Sequence, residues 1–216
     1  MWFMEYEVLK NGEGKIIEKK STFIGAVASV HSEQEALDFI ATKKKEHYDA
    51  RHNCFAYLVG DHNELMRSSD DGEPSGTAGR PMLDVLLGAN VHNICVVVTR
   101  YFGGVLLGTG GLVRAYSKAT EEGLKACTLL ERHTGVHISL DVDYGLLGKV
   151  QYLLNERNIF VADSAYSDRV VFDVYVDDAD AEPLKKELIN QTNAQIKLEE
   201  IESCAYGIAD GELIRF

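Results

Sequence analysis

Proline is scarce, with three residues in 216, and the four cysteines include no Cys-x-x-Cys pair. Cys54, Cys95, Cys127 and Cys204 lie 41, 32 and 77 residues apart with no His-rich tract beside them, which excludes a disulfide framework and a zinc site. No apolar run approaches the roughly 18 residues that a membrane-crossing helix needs. The opening Met-Trp-Phe-Met-Glu-Tyr-Glu has neither a basic n-region nor a small-residue cleavage site, so a cytoplasmic protein without a membrane partner is expected. No repeat of 20–50 residues is present. Nucleotide signatures are missing too. No G-x-x-x-x-G-K-[ST] occurs, and Val113 takes the third glycine's place in Gly108-Thr-Gly110-Gly-Leu-Val113, so neither a P-loop nor a Rossmann site is supported. The segment 67–81 lacks the ligand ladder of an EF-hand. No cofactor and no metal site are expected.

What is present is a folding composition, 45% hydrophobic and 26% charged, on a length that suits one or two domains. The net charge of −12 is uneven: residues 1–134 hold 15 basic against 18 acidic side chains, and residues 135–216 hold 7 against 16. The later part should therefore repel phosphate at long range, while a local basic groove remains open to the earlier part.

Periodicity predicts strands over 5–10, 15–20 and 21–30, with a turn at Asn11-Gly-Glu-Gly14, then a helix to about Tyr48 opened by the capping box Ser32-Glu-Gln-Glu35. Strands follow at 55–60 and 65–69, a helix from Pro81 to Leu87, a buried strand over 94–99 and a helix over 112–130. Beyond Thr134 the order is strand 135–143, helix 145–157, strands 159–166 and 169–176, helix 180–192 and strand 195–204. This βαββαβ order predicts a ferredoxin-like sheet with both helices on one face. The fold class is thus α+β with two domains, 1–134 and 135–216.

Nine of the 19 glycines fall between Gly72 and Gly111, eight of them in two long loops around 67–81 and 100–114; loops of this length usually carry function. In the second, Gly103, Gly104, Gly108, Thr109, Gly110 and Gly111 lead from the buried strand into a helix, flanked by Arg100 and Arg114. Free N–H groups at a positive helix terminus plus guanidinium charge suit a phosphate; the plainer reading is tight packing that only glycine permits. The first loop places Asp70, Asp71 and Glu73 near Ser75, Thr77 and Arg80. Those carboxylates are candidate acid–base groups or Mg²⁺ ligands, or simply organisers of a solvated turn. His52, in Arg51-His-Asn-Cys54, is a candidate base or phosphate donor, or a strand-end group. Cys54 could be a reactive thiol, whereas Cys95, inside Ile-Cys-Val-Val-Val, reads as core.

Arg51-His-Asn-Cys, Ser69-Asp-Asp-Gly-Glu-Pro-Ser-Gly-Thr-Ala-Gly-Arg-Pro81 and Thr99-Arg-Tyr-Phe-Gly-Gly-Val-Leu-Leu-Gly-Thr-Gly-Gly-Leu-Val-Arg-Ala-Tyr116 together resemble the IMPACT family, in its bacterial, YigZ-type branch. The resemblance implies a first domain similar to domain IV of elongation factor G and to the second domain of a small-subunit ribosomal protein. It also implies a second domain similar to domain V of that factor. Eukaryotic members carry an added N-terminal RWD domain and compete for the activator of an initiation-factor kinase. Here the first motif already begins at Arg51, after three short strands and one helix, so that role is not carried over. For bacterial members the resemblance implies an RNA- or ribosome-associated role, with translation as the process regulated.

The leading expectation is a binding protein whose groove of Arg51, His52, Ser75, Thr77, Arg80, Arg100, Arg114 and the 103–111 loop holds RNA or a ribosomal surface, the acidic second domain offering a contact for a protein partner. The alternative is a metal-dependent enzyme acting on a small phosphorylated metabolite or nucleotide, with His52, Asp70, Asp71 and Glu73 as catalytic candidates. A third reading is a protein–protein adaptor with purely structural loops.

Overall fold

The computed structural model describes residues 4–216 and divides into two compact units, with the boundary between Glu131 and Arg132. The first unit contains β1 (Glu5–Lys10), β2 (Gly12–Glu18), β3 (Ser21–Ser29), α1 (Glu33–Glu46), β4 (His52–Val59), β5 (Leu65–Ser69), α2 (Gly79–Gly88), β6 (Val91–His92), β7 (Ile94–Tyr101) and α3 (Thr109–Lys125). Five strands form an antiparallel sheet in the order β2-β3-β7-β4-β5, and β1 pairs in parallel with β6.

The sheet is covered on both faces, which is why β7 reads as a nearly unbroken apolar run. Ile94, Val96 and Val98 pack with Met82, Leu86, Leu112 and Tyr116 from α2 and α3. Cys95 and Val97 point the other way, towards Ala36 and Ile40 of α1. Helix α1 starts where the capping box predicts: Ser32 Oγ accepts from Glu35 N at 3.2 Å, and the Glu35 carboxylate accepts from His31 N at 2.9 Å.

The expected turn at 11–14 is corrected. Gly12 and Gly14 lie inside β2, and the reversal into β3 occurs at Lys19-Lys20, both in the left-handed region at φ 45° and 70°. A Cβ on Gly12 or Gly14 would stand 2.5 or 2.4 Å from the backbone at the end of α3, so these glycines serve close strand–helix approach rather than a turn. Gly25 does the same further along, where a Cβ would lie 2.2 Å from the Ala119 carbonyl oxygen. Helix α3 is also shorter than its apolar pattern suggests, because Ala126 caps it and a new strand opens at Thr128.

That strand, β8 (Thr128–Val142), leads into α4 (Leu147–Glu156), β9 (Phe160–Tyr166), β10 (Val170–Asp177), α5 (Asp178–Gln191), β11 (Lys197–Ala209) and β12 (Glu212–Arg215). The antiparallel order β9-β10-β8-β11-β12 is that of a ferredoxin-like βαββαβ unit extended by one hairpin strand. Val150, Leu153 and Leu154 of α4 and Ala181, Leu184 and Leu188 of α5 share one core with Ile138, Leu140, Phe172 and Val174, so both helices cover the same face. The hairpin turns at Asp210-Gly211, with φ 52° and 81°. Among the described residues, no helix is long and apolar enough to cross a membrane.

Candidate functional site

The loop between β5 and α2 is organised by its own carboxylates. Asp70 accepts from the N–H groups of Gly76, Ala78 and Gly79 at 2.8, 2.9 and 2.9 Å, filling the N-terminus of α2. Burial alone would raise its carboxyl pKa, but the three N–H donors outweigh that and hold it below the ordinary aspartate range. Asp71, at φ 42°, bridges Asn53 N at 2.7 Å and Lys44 Nζ at 2.8 Å, tying the loop to β4 and α1. Glu73 turns inward, where its Oε1 accepts from Arg100 at 2.6 Å and from the Tyr116 hydroxyl at 2.8 Å. The two glycine-rich loops therefore meet through Glu73, inside the protein.

This network and the burial around it hold Arg100 and Thr77 inside the protein. Arg100 is 6% exposed, paired with Glu73 and held between the rings of Phe23 and Phe102, each 5.5 Å from its guanidinium carbon. It stabilises the loops and is not a surface phosphate contact. Thr77 is buried and donates to Pro74 O at 2.7 Å. Arg80 lies on the surface, paired with Asp84 at 2.7 Å. Asp70, Asp71 and Glu73 each point to a separate internal partner, so they do not converge as an acid–base pair, and no group of three or more metal-ligating side chains comes together among the described residues.

His52 donates Nδ1–H to the Asp71 carbonyl oxygen at 2.9 Å, so its neutral ring offers Nε2 as an acceptor. Arg51 and Ser75 are exposed. Cys54 is wholly buried, and its thiol donates to the Asp70 carbonyl oxygen. Burial pushes that thiol up to about 12; the Tyr116 hydrogen bond opposes the rise, and the charges of Glu73, Asp71 and Asp70 add to it. The reactive-thiol reading is thereby corrected.

The rest of the second loop borders open space. Gly103 N donates to Ser21 Oγ at 3.1 Å, and a Cβ on Gly103 would fall 2.0 Å from the Lys20 backbone, which clamps the loop to the β2–β3 turn. Gly104 and Gly108 take φ 83° and 72°, and a Cβ on either would meet nothing within 4 Å. Thr109, Gly110 and Gly111 form the first turn of α3, which has no acidic residue and no side-chain cap.

Between that first turn and the β2–β3 turn lies a cleft of about 300 Å³, lined by Ile16, Glu18, Lys19, Leu107, Gly111, Arg114, Ala115 and Lys118. Arg114, one helical turn beyond Gly110, has no carboxylate partner among the described residues, and neither has Lys19. Lys118 is shared with Glu121 and Glu122 at 3.2 and 3.1 Å. Placing the first turn at 11–14 hides Lys19, because it then reads as a strand residue; the i, i+4 spacing of Arg114 and Lys118 on α3 is the signal that would have added Lys118.

Fold and site define a two-unit α+β protein with a buried Arg–Glu–Tyr network and an exposed cationic cleft beside a glycine-rich helix start. The chain belongs to the IMPACT family. Residues 19–124 match the Impact N-terminal domain, and residues 140–195 match a domain of unknown function, DUF1949. The IMPACT family member YvyE of Bacillus subtilis is 41% identical over 195 residues, 90% of each chain. The family member YigZ of Escherichia coli K12 is 36% identical over 186 residues, 85% of this chain and 91% of that protein. A solved crystal structure of a hypothetical protein, 33% identical, covers 94% of this chain and 99% of its own with a TM-score of 0.58.

Proposed function

We propose that this protein is a cytoplasmic RNA- or ribosome-associated binding protein, acting on translation, that holds phosphate groups in the cleft between Lys19, Arg114 and Lys118. The observation that carries this reading is the cleft itself: Lys19 and Arg114, with Lys118 that Glu121 and Glu122 also hold, face one lining carboxylate, Glu18, at the uncapped start of α3, in a chain of net charge −12. An anion there would meet the free N–H groups of the first turn together with guanidinium charge. The excess acid of residues 135–216 supports a local contact over bulk adsorption, since that part repels phosphate. Arg51 and His52 are exposed or half-buried, and serve as secondary candidates for the same kind of contact.

The test is binding of fluorescent RNA and of salt-washed ribosomes at several salt concentrations, with Arg114→Ala and Lys19→Ala alongside. Each substitution should weaken binding across sequences and lower the salt slope by about one unit. Unchanged affinity and slope in the double variant would refute the reading.

A further inference from the structure

Phe102 stands where the second loop leaves β7 and is 49% exposed. The Arg100 guanidinium lies over its ring at 5.5 Å, so the exposure belongs to the rest of the ring. The next residue, Gly103, is clamped against Lys20, and the neighbouring Lys19 lines the cationic cleft with Leu107 at the far end of the same loop. Val105 and Leu106, at 41% and 82% exposure, add apolar surface between the two. An exposed aromatic ring, fixed from behind and set beside unpaired cations, is a stacking surface adjoining a phosphate surface.

We infer that the ligand of this site is single-stranded RNA, with an unpaired base stacked on Phe102 while a neighbouring phosphate occupies the cleft. This rests on the RNA-binding reading above and narrows it. Charge complementarity selects the occupant: a polymer with regular anionic groups and flat apolar faces matches both halves of the surface, and only an unpaired strand has base faces to offer. Duplex RNA would meet the cations but not the ring. Phe102 is held by Arg100 from inside, so the ring is positioned before any base arrives.

The experiment measures fluorescence anisotropy with a labelled single-stranded oligouridylate, a duplex of the same length and uridine monophosphate as competitor, on the full chain. Phe102→Leu keeps the apolar packing on Arg100 and removes the π face; Phe102→Trp restores it. The expected result is tighter binding of the single strand than of the duplex. Phe102→Leu should lose about 5- to 150-fold in single-strand affinity, and Phe102→Trp should recover it. Duplex binding should not change in either variant, and thermal melts should show that both fold. Competition by the mononucleotide as strong as by the oligomer would place a free nucleotide there and overturn the proposal. Equal binding of the two RNAs, unaffected by Phe102→Leu but with an Arg114-dependent salt slope, would overturn the single-strand inference and leave the RNA reading standing. Binding of neither RNA would overturn both.

Discussion

Replacing Glu73 by Gln tests whether Arg100 works inside the protein or on a ligand. The Arg100 and Glu73 side chains are 7% and 4% exposed, and a guanidinium nitrogen lies 2.6 Å from Oε1. The amide of Gln still accepts from the Tyr116 hydroxyl, so that hydrogen bond survives, but the guanidinium is left buried without its counter-charge. Breaking one side of such a pair costs about 3–5 kcal/mol. Against a domain stability of about 5–15 kcal/mol, that is a third or more of the whole for many proteins. Arg100→Met should cost a similar amount by stranding the carboxylate. The double variant removes both charges, so its loss should fall well below the sum of the two. Urea denaturation reads this as lowered midpoints at constant slope, with RNA binding measured in parallel on folded protein. Single variants within about 0.5 kcal/mol of the parent, or strictly additive losses, would refute the internal role. So would an Arg100→Met protein that stays fully stable while losing the salt slope of RNA binding.

Asp70→Asn keeps one acceptor for the three N–H groups of Gly76, Ala78 and Gly79, and should cost about 1–3 kcal/mol at neutral pH. Because the folded carboxyl titrates below its unfolded value, its contribution is present above about pH 4 and is lost as pH falls through the folded pKa. The Asn deficit should therefore shrink in acid, and equal urea-derived losses at neutral pH and near pH 2 would contradict this. Gly25→Ala forces a Cβ to 2.2 Å from the Ala119 carbonyl oxygen and should cost about 1–3 kcal/mol or more; Gly88→Ala, with nothing within 4 Å, should be neutral or mildly stabilising. Equal melting temperatures for the two variants would show that α3 does not need that approach. Cys54 should resist iodoacetamide in the native protein and react only in urea, since burial and neighbouring carboxylates push its thiol up to about 12 and keep it protonated at neutral pH. Peptide mapping that finds prompt native labelling of Cys54 would refute the buried assignment.

Element order was legible where one physical signal acted alone. The capping box at Ser32 and the run 94–98 each had one meaning, and the amphipathic spacing of α4 and α5 sufficed for the second unit's βαββαβ order. Legibility failed where glycine had two. Gly12 and Gly14 look like turn residues in sequence, yet they are extended and exist to admit the backbone of α3, a contact more than 100 residues away in the chain. The turn that does form uses Lys19-Lys20, two residues that carry no turn preference, held at positive φ by the pairing of β2 with β3. Asp210-Gly211 carried an ordinary hairpin signal, and β12 could have been read from it.

The same ambiguity governs the site. Arg100 and Arg114 look equivalent in sequence, each flanking one glycine-rich loop, and residue type alone cannot separate them. Strand alternation can: Arg100 continues the face of Ile94, Val96 and Val98, which is the buried side of β7 towards α2 and α3, so its charge had to find an internal partner. Glu73, the one carboxylate of its loop that is buried, meets that need. Arg114 lies on the exposed side of α3, four residues before Lys118, and keeps its charge for solvent or ligand. The glycines around it then divide by the same test: Gly103 is fixed by the backbone it touches, while Gly104 and Gly108 take positive φ with open space beside them, and Gly111 lines the cleft. A motif of some 15 residues thus serves two ends, with its first arginine binding the loops together and its last one facing outward.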